Sequence, residues 1–502
     1  MSNYLLSESI RKFGPQKYLA CLRRRFLAGV YTKERFAFLA AKAYLAISKP
    51  IRALTLLKTT DFVLKNDFYQ SEMLDILTQS EALIVKSSPS CSLNMIVKNE
   101  SNNIAFALDS IDDIMDEIVI CDTGSSDGTQ DIAGLYGATI ISTVWKDDFS
   151  AARNEAIKAS TCDWIFWMDA DDRFCSGSKH ELVDLWKTSS PQIAILRIVN
   201  QQDNVAGAQF MQARLFPRVK GMLFERRVHE QIMFSAIRNH IPFSQHPGIT
   251  ILHAGYNEKN LQKNKSLRNK PLIIKELKDN PDDPALLLSL GDCCMALGQN
   301  NEAFSAYRRI TADKSIQQIH PDVFIQAHFN LGCMHIQKSE LIQAKLRLSD
   351  CINLDPTRTE AYFLLGRISE KEGNPEKAFS YYLKSARITP PVRQTAANAE
   401  KIKLESIYCL ARLLLSEKRY METEELLIHS LAVYPRVVEF HSLLGNVLLE
   451  QQKLKDAAIF FMQSLSLSAE HNRDAYAGMA IVYKELNDIP KAKHFAEMAV
   501  KA

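Results

Sequence analysis

The chain has 502 residues, of which 46% are hydrophobic and 24% charged, and its formal net charge is +3. This length suits two or three domains, and the composition is that of an ordinary globular protein. The charge is too small to indicate a nucleic-acid partner. No apolar run approaches the roughly 20 residues that span a bilayer, and residues 1–11 lack the apolar core of a signal peptide. The ten cysteines have no metal-site spacing, which favours reduced thiols in a cytoplasmic protein.

Residues 1–88 show helical periodicity, and we expect a small helical N-terminal domain there, followed by a linker at 87–90. The spacing of small residues around Ala40 and Ala53 allows this segment to be repeat-like too. The basic run Arg23-Arg24-Arg25 lies in a helical pattern. It fits either a solvated helix face, which we favour, or contact with a membrane surface.

Residues 91–270 alternate short apolar runs with helical segments. Strands are predicted at 95–97, 117–121, 138–141 and 162–168, and helices from about 101 to 113 and at 149–159. Strands that alternate with helices of this length predict a parallel sheet with right-handed crossovers.

The apolar run 162–168 stops at Asp169-Ala170-Asp171-Asp172. Carboxylates at the end of a buried strand are costly without a cation. If the strand continued, Asp169 and Asp171 would point the same way and could hold one divalent cation that bridges to nucleotide phosphates. The alternative is a solvated turn, in which aspartate is common.

Residues 280–502 are helical and repetitive. A small residue recurs at two points twelve residues apart in each of six units, and these spacings resemble the tetratricopeptide repeat. Two of the distances between successive units are longer than the others, which implies insertions near 316–323 and 391–401. Such an array offers a concave surface for a protein or peptide, and its edges often pair subunits, so a homodimer is one possibility. The paired positions are 291 and 303, 332 and 344, 366 and 378, 411 and 423, 445 and 457, and 480 and 492.

Four motifs between residues 98 and 172 resemble those of the family 2 glycosyltransferases of the GT-A fold. The resemblance covers roughly residues 91–270. The later segments 224–230 and 253–257 are similar to those of sublancin-type peptide S-glycosyltransferases and lipopolysaccharide-core glucosyltransferases. We therefore expect an α/β, Rossmann-like GT-A catalytic domain, an all-α tetratricopeptide solenoid and a small helical N-terminal segment. The four motifs are 98–100, 122–129, 152–154 and 169–172.

The donor of such an enzyme is a nucleotide-sugar. The resemblance implies that the backbone of Val97 and the side chains of Asn99 and Glu100 contact the ribose and the base of its nucleotide. Asp122 and Asp127 would read the nucleobase, usually uracil, because a carboxylate accepts a ring N–H. Asp127 could instead be only the N-cap of the following helix.

For the metal, the resemblance implies Asp171 as a direct ligand, Asp169 on ribose or on metal-bound water, and His253 as a further ligand. Imidazole suits Mn²⁺ better than Mg²⁺, so manganese is the expected ion. His253 could also be a structural histidine. Arg153 would meet the diphosphate or fix the loop of Asp122, with a surface salt bridge as the alternative.

Inverting transfer requires one general base near the acceptor. Glu230 is the first candidate and Asp172 the second, although either could instead form a structural ion pair with Arg226, Arg227 or Arg173. The pair Arg226-Arg227 stands where the peptide-modifying pattern has His-Gly.

These features predict an inverting, metal-dependent bacterial enzyme that transfers a sugar from UDP-glucose or UDP-N-acetylglucosamine. The expected acceptor is a Ser, Thr or Cys of a protein or peptide recruited by the repeats. One alternative acceptor is lipopolysaccharide core or another cell-surface glycan. A different class is a repeat scaffold whose transferase-like domain is inactive.

Overall fold

The computed structural model describes residues 14–59, 70–84, 89–188, 190–202, 205–254, 259–392, 398–468 and 472–502. The chain divides into two compact units. The first extends to Ile310 and also includes residues 392–397, and the second comprises 311–391 and 398–502. None of the helices in the described ranges combines the length and hydropathy that a membrane crossing requires.

The first unit begins with helices that share one hydrophobic core with the sheet, so the N-terminal segment is packed as part of this unit. We had expected a separate helical domain before residue 88. Residues 87 and 88 of the expected linker lie outside the described residues. The helices are α1 (Pro15–Leu27), α2 (Lys33–Ala46), α3 (Pro50–Thr59) and α4 (Gln70–Ile84).

A buried charge cluster joins these helices to the rest of the unit. Arg23 Nη2 donates to Asp112 Oδ2 at 2.6 Å, and the fully buried Arg52 donates to the carbonyl oxygens of Asp112 and Tyr136, both at 2.6 Å. The interpretation of the basic run as a solvated face was therefore wrong for Arg23, which is buried. The helical pattern cannot reveal a carboxylate that lies 89 residues away in the chain.

In the described residues, eight strands form one mixed sheet in the order β3-β2-β1-β4-β7-β6-β8-β5. The first four are mutually parallel, as predicted, whereas β7 runs antiparallel to both β4 and β6, and β5 antiparallel to β8. The strands are β1 (Cys91–Val97), β2 (Glu117–Asp122), β3 (Thr139–Ser142), β4 (Trp164–Trp167), β5 (Asp172–Phe174), β6 (Ile193–Gln202), β7 (Val205–Pro217) and β8 (Phe243–His253).

The remaining helices of the first unit lie between the strands in the chain or follow the last strand. The predicted helix at 149–159 has those bounds, because Asp148 caps it by accepting from the Ala151 amide at 2.9 Å. The helix expected from about 101 to 113 is shorter. These helices are α5 (Ile104–Asp109), α6 (Thr129–Gly134), α7 (Phe149–Ala159), α8 (Lys179–Thr188), α9 (Met233–Arg238), α10 (Lys259–Asp279), α11 (Pro284–Ala296) and α12 (Asn300–Ala312).

The six predicted repeats coincide with helix pairs, of which the first is α11 and α12. The insertion predicted near 316–323 overlaps the short helix α13, whereas the one near 391–401 lies partly outside the described residues. The helices are α13 (Ser315–Ile319), α14 (Pro321–Gln337), α15 (Leu341–Leu354), α16 (Thr359–Lys371), α17 (Pro375–Arg387), α18 (Ala399–Ser416), α19 (Tyr420–Val433), α20 (Val438–Glu450), α21 (Leu454–Leu467), α22 (Arg473–Glu485) and α23 (Ile489–Lys501).

Gly366 on α16 shows why the first small position of a repeat matters. A Cβ at this position would lie 2.6 Å from Cε1 of Tyr382. The Tyr382 ring is fully buried, and its hydroxyl donates to Glu370 at 2.9 Å, so the ring has no room to retreat.

We expect Gly366→Ala to destabilise the second unit by about 1–2 kcal/mol, because overpacking outweighs the gain in helix propensity. Thermal unfolding followed by far-UV circular dichroism measures this effect. Gly134→Ala is the control, since a Cβ there meets no atom within 4 Å, and this change should be neutral or slightly stabilising. Equal melting temperatures for Gly366→Ala and the native protein would contradict this account of the repeat contact.

Candidate active site

The parallel strands β1, β2 and β4 end at the same edge of the sheet, and a cavity of about 570 Å³ lies there. Ligands of open α/β sheets bind at this edge. Seven of the residues singled out from the sequence line the cavity. They are Val97, Glu100, Arg153, Asp169, Asp171, Glu230 and His253.

Asn99 does not line the cavity but ties together the two loops beside it. Its Oδ1 accepts from the Ser126 amide at 2.8 Å, and its own amide donates to Ser125 Oγ at 2.8 Å. Its φ of +55° lies in the left-handed region, which asparagine tolerates better than most residues. Glu100 accepts from Asn103 Nδ2 at 2.9 Å, and burial raises the pKa of Glu100.

Asp122 and Asp127 shape the second loop and do not line the cavity. Asp122 Oδ1 accepts from the amides of Gly124 and Ser125, both at 2.7 Å, while its buried Oδ2 has no hydrogen-bond partner in the described part of the chain. Asp127 accepts from the Thr129 hydroxyl and from the Ser101 amide, and these donors hold its pKa below the ordinary value. The N-cap of α6 is the neighbouring Gly128, so Asp127 is not itself the cap.

The acidic segment turns instead of continuing the strand. β4 ends at Trp167, and the Asp172 amide donates to the Asp169 carbonyl at 3.0 Å. The expectation that Asp169 and Asp171 share one face of a continuing strand was therefore wrong.

Asp172, which starts β5, lies directly opposite His253 on β8. His253 Nδ1 is 2.8 Å from Asp172 Oδ1 and 3.5 Å from Asp171 Oδ1. Each of these three residues offers one ligand atom, and the three atoms lie within 4.8 Å of one another. This grouping could hold a divalent cation, and it contains Asp172 where the sequence suggested Asp169.

Two arginines hold the adjacent carboxylates. Arg153 is 2.9 Å from Asp169, and Arg214 is 3.8 Å from Asp169 and 2.9 Å from Asp172. Both guanidinium groups lie against the Trp167 ring, at 3.9 and 3.8 Å from its centroid. Arg153 is thus a buried ion-pair residue, not a surface one, and its hydrogen bonds in the described part of the chain go to Glu230 and Asp169, not to the loop of Asp122.

The two carboxylates that were expected to bind metal differ in their electrostatics. Burial acts to raise the pKa of Asp169, but Arg153 and Arg214 outweigh it and keep the pKa below the ordinary value. For Asp171, burial together with the charges of Asp169 and Asp172 outweighs His253 and raises the pKa. Asp171 therefore gains most from a bound cation, because none of the described arginines forms a salt bridge with it, whereas Arg153 and Arg214 pair with Asp169.

The loop 228–231 also lines the cavity. Glu230 Oε1 accepts from Arg153 Nε at 2.7 Å, so its ion-pair partner is neither Arg226 nor Arg227. His229 also lines the cavity, with φ of +54°, and burial lowers its pKa. Residues 255–257 of the segment 253–257 singled out from the sequence lie outside the described residues.

Asp172, the second candidate base, is fully buried and does not line the cavity. One of its oxygens faces His253, and the other accepts from Arg214 and from the Asp169 amide. This placement corrects the sequence-based expectation: Asp172 positions its neighbours and has no path to an acceptor.

Sequence reasoning missed several residues of the cavity and also Arg214, which lies buried behind it and pairs with Asp172. Arg214 breaks the apolar pattern of β7 between Ala213 and Leu215, which was its only local signal. Met211 and Gln212 belong to strand β7, which pairs with β6, and both line the cavity. Lys98, from the predicted motif 98–100, also lines the cavity, and the lining residues that the sequence did not single out include Trp145, Phe149, Lys265 and Arg268.

Comparison with known proteins agrees with this architecture. Residues 92–263 match the family model described as Glycosyl transferase family 2, and residues 359–391 match a tetratricopeptide repeat model.

Two curated relatives are similar to part of the chain. A TPR repeat-containing protein of Synechococcus elongatus is 30% identical over 257 residues, which are 50% of this chain and 62% of the relative. The SPbeta prophage-derived glycosyltransferase SunS of Bacillus subtilis is 27% identical over 285 residues, which are 54% of this chain and 66% of the relative. The chain thus spans less than two thirds of the length of either relative. Among solved structures, pilF of Pseudomonas aeruginosa matches 36% of this chain and 77% of its own at 21% identity, with a TM-score of 0.30.

Proposed function

We propose that this chain, which carries a family 2 glycosyltransferase domain and tetratricopeptide repeats, is an inverting, metal-dependent glycosyltransferase. The observation that carries the proposal is the grouping of Asp171, Asp172 and His253 beside a cavity at the carboxyl ends of parallel strands. Carboxylate and imidazole atoms together suit Mn²⁺ better than Mg²⁺. The bound ion would neutralise the leaving diphosphate, with Asp171 and His253 as its ligands and Asp169 beside them.

The proposed donor is UDP-glucose or UDP-N-acetylglucosamine. The unpartnered Oδ2 of buried Asp122 supports a nucleobase N–H donor at the end of β2. Asn99 and Asp127 would act by holding the loops that enclose the nucleoside, whereas Val97 and Glu100 line the cavity themselves.

The proposed acceptor is a Ser, Thr or Cys side chain on a protein or peptide. Its oxygen or sulfur forms the new bond to the anomeric carbon, while the bond from that carbon to the phosphate oxygen breaks and its electron pair leaves with the diphosphate. Glu230 takes the acceptor proton and is held in place by Arg153. Attack from the face opposite the leaving group inverts the anomeric centre.

Recruitment of the acceptor is assigned to the tetratricopeptide repeats, whose stacked helices form a surface suited to protein ligands. A cytoplasmic location is part of the proposal. It is supported by the ten cysteines, all within the described residues and none in a disulfide.

Calorimetric titration of the full chain with UDP, in Mn²⁺ and then in excess EDTA, tests the donor half. We expect binding only with Mn²⁺, together with slow Mn²⁺-dependent hydrolysis of one of the two UDP-sugars. A chain that binds no UDP in Mn²⁺ is not this enzyme, and the scaffold alternative would then stand. A second experiment distinguishes the acceptors. A mass shift on a co-expressed protein would support a protein acceptor, whereas labelling of extracted glycolipid would support a cell-surface glycan.

A further inference from the structure

Two cationic side chains reach the cavity from outside the segment that matches the family model. The match ends at residue 263, and Lys265 and Arg268 follow on helix α10. They are three residues apart, so they lie on the same face of the helix. Both line the cavity that also contains Asp169, Asp171 and Glu230.

Arg268 is placed differently from the other arginines of the site. Arg153 forms salt bridges with Asp169 and Glu230, and Arg214 forms one with Asp172. Arg268 donates from Nε to the side chain of Asn269 at 3.1 Å, and its guanidinium lies 4.9 Å from the centre of the Phe149 ring. In the part of the chain that the structure describes, Arg268 forms no salt bridge, although it lies within the electrostatic influence of Glu230 and Asp169.

The charge balance of the cavity indicates what these cations are for. In the described part of the chain, four carboxylates and four Lys or Arg side chains line it. With a divalent ion bound and the histidines neutral, two positive charges are in excess, which matches the diphosphate of a nucleotide-sugar. Without Lys265 and Arg268 the lining and the ion together would be neutral, and the diphosphate would add two uncompensated negative charges to a partly buried site, which is costly. The carboxylates are Glu100, Asp169, Asp171 and Glu230, and the cations are Lys98, Arg153, Lys265 and Arg268.

Cleavage of the sugar–phosphate bond adds one negative charge to the terminal phosphate. Lys265 and Arg268 line the same cavity as the proposed ligands Asp171 and His253 and the proposed base Glu230. The two cations therefore border the space in which this bond would break.

We propose that Arg268 and Lys265 bind the terminal phosphate of the nucleoside diphosphate and stabilise it as it leaves. This inference rests on the proposed function, and it assigns the residues to the phosphate and not to the nucleoside. Leu272 and Ile273 of helix α10 share a hydrophobic cluster with Val228 and Leu286, so the helix that carries the two cations is held in place by packing.

The test is calorimetric titration of the full chain in Mn²⁺ with UDP, UMP and uridine. Arg268→Gln should weaken UDP binding roughly 10- to 100-fold, as expected for loss of a charge-assisted contact, and the double variant with Lys265→Gln should weaken it further. UMP and uridine binding should stay within about threefold of the native protein, which also shows that the variants are folded. Arg268→Lys should recover part of the loss, and Lys275→Gln, exposed on the same helix, is the matched control.

The outcomes separate this inference from the proposed function. A native chain that binds no UDP overturns both. Native-like UDP binding by the double variant overturns only the inference, and points to an acceptor anion as the partner of these cations. Equal weakening of UDP and UMP overturns the assignment to the terminal phosphate.

Discussion

Asp171→Asn is expected to reduce Mn²⁺-dependent turnover of the UDP-sugar on the order of 10³-fold. Asp171 lines the cavity, and it belongs to the group of three residues whose ligand atoms lie within 4.8 Å of one another. Among the described residues no arginine forms a salt bridge with Asp171, whereas Asp169 pairs with Arg153 and Arg214, and Asp172 pairs with Arg214. The amide keeps the size of the side chain but removes the charge that a divalent cation needs.

Initial rates of UDP release, measured at saturating Mn²⁺, check this prediction. The matched control is Asp131→Asn, an exposed position in the first turn of α6, which should retain the native rate. UDP affinity in Mn²⁺ should fall along with the rate. If Asp171→Asn kept more than about a tenth of the native rate, a loss of under roughly 1.4 kcal/mol, the metal site would have to be sought elsewhere.

Asp112→Asn is expected to destabilise the first unit by about 3–5 kcal/mol, because it leaves buried guanidinium groups without their counter-charge. Arg23 is 2.6 Å and Arg52 is 3.4 Å from Asp112 Oδ2. Urea unfolding followed by tryptophan fluorescence reports on this unit, since all four tryptophans lie in it. Asp109→Asn is the control. Asp109 pairs with Arg23 at 3.3 Å but is 55% exposed, so its loss should cost less than about 1 kcal/mol.

The pH dependence of the unfolding free energy provides a second test of the ion pairs that Asp112 forms with Arg23 and Arg52. Burial acts to raise the pKa of Asp112, but Arg23 and Arg52 outweigh it and leave the pKa below the ordinary value. The contribution of Asp112 to stability is therefore complete above the pKa of the unfolded chain and is lost as the pH falls through the folded value. The gap in unfolding free energy between the native protein and Asp112→Asn should narrow below about pH 4. A gap that stays constant with pH would exclude the ion pairs as its cause.

Local patterns were enough to locate most elements. The helix at 149–159 has the predicted bounds, because its cap and its periodicity lie within a dozen residues of sequence. The strands at 95–97 and 117–121 fall inside β1 and β2, which are almost wholly buried. The repeats were visible because a small residue recurs where two helices of a pair pack closely, as Gly366 faces Tyr382 and Gly445 faces Phe461 sixteen residues later.

The order of the motifs, the alternation of strands and helices and the helical repeats could be predicted from the sequence, because they depend on neighbours within one or two elements. Which charged side chains meet could not be predicted without the folded structure. Arg214 reaches Asp172 across 42 positions, His253 reaches it across 81, and Arg23 reaches Asp112 across 89. Electrostatic pairing depends on distance in space and on burial, and neither is encoded in the spacing of residues along the chain.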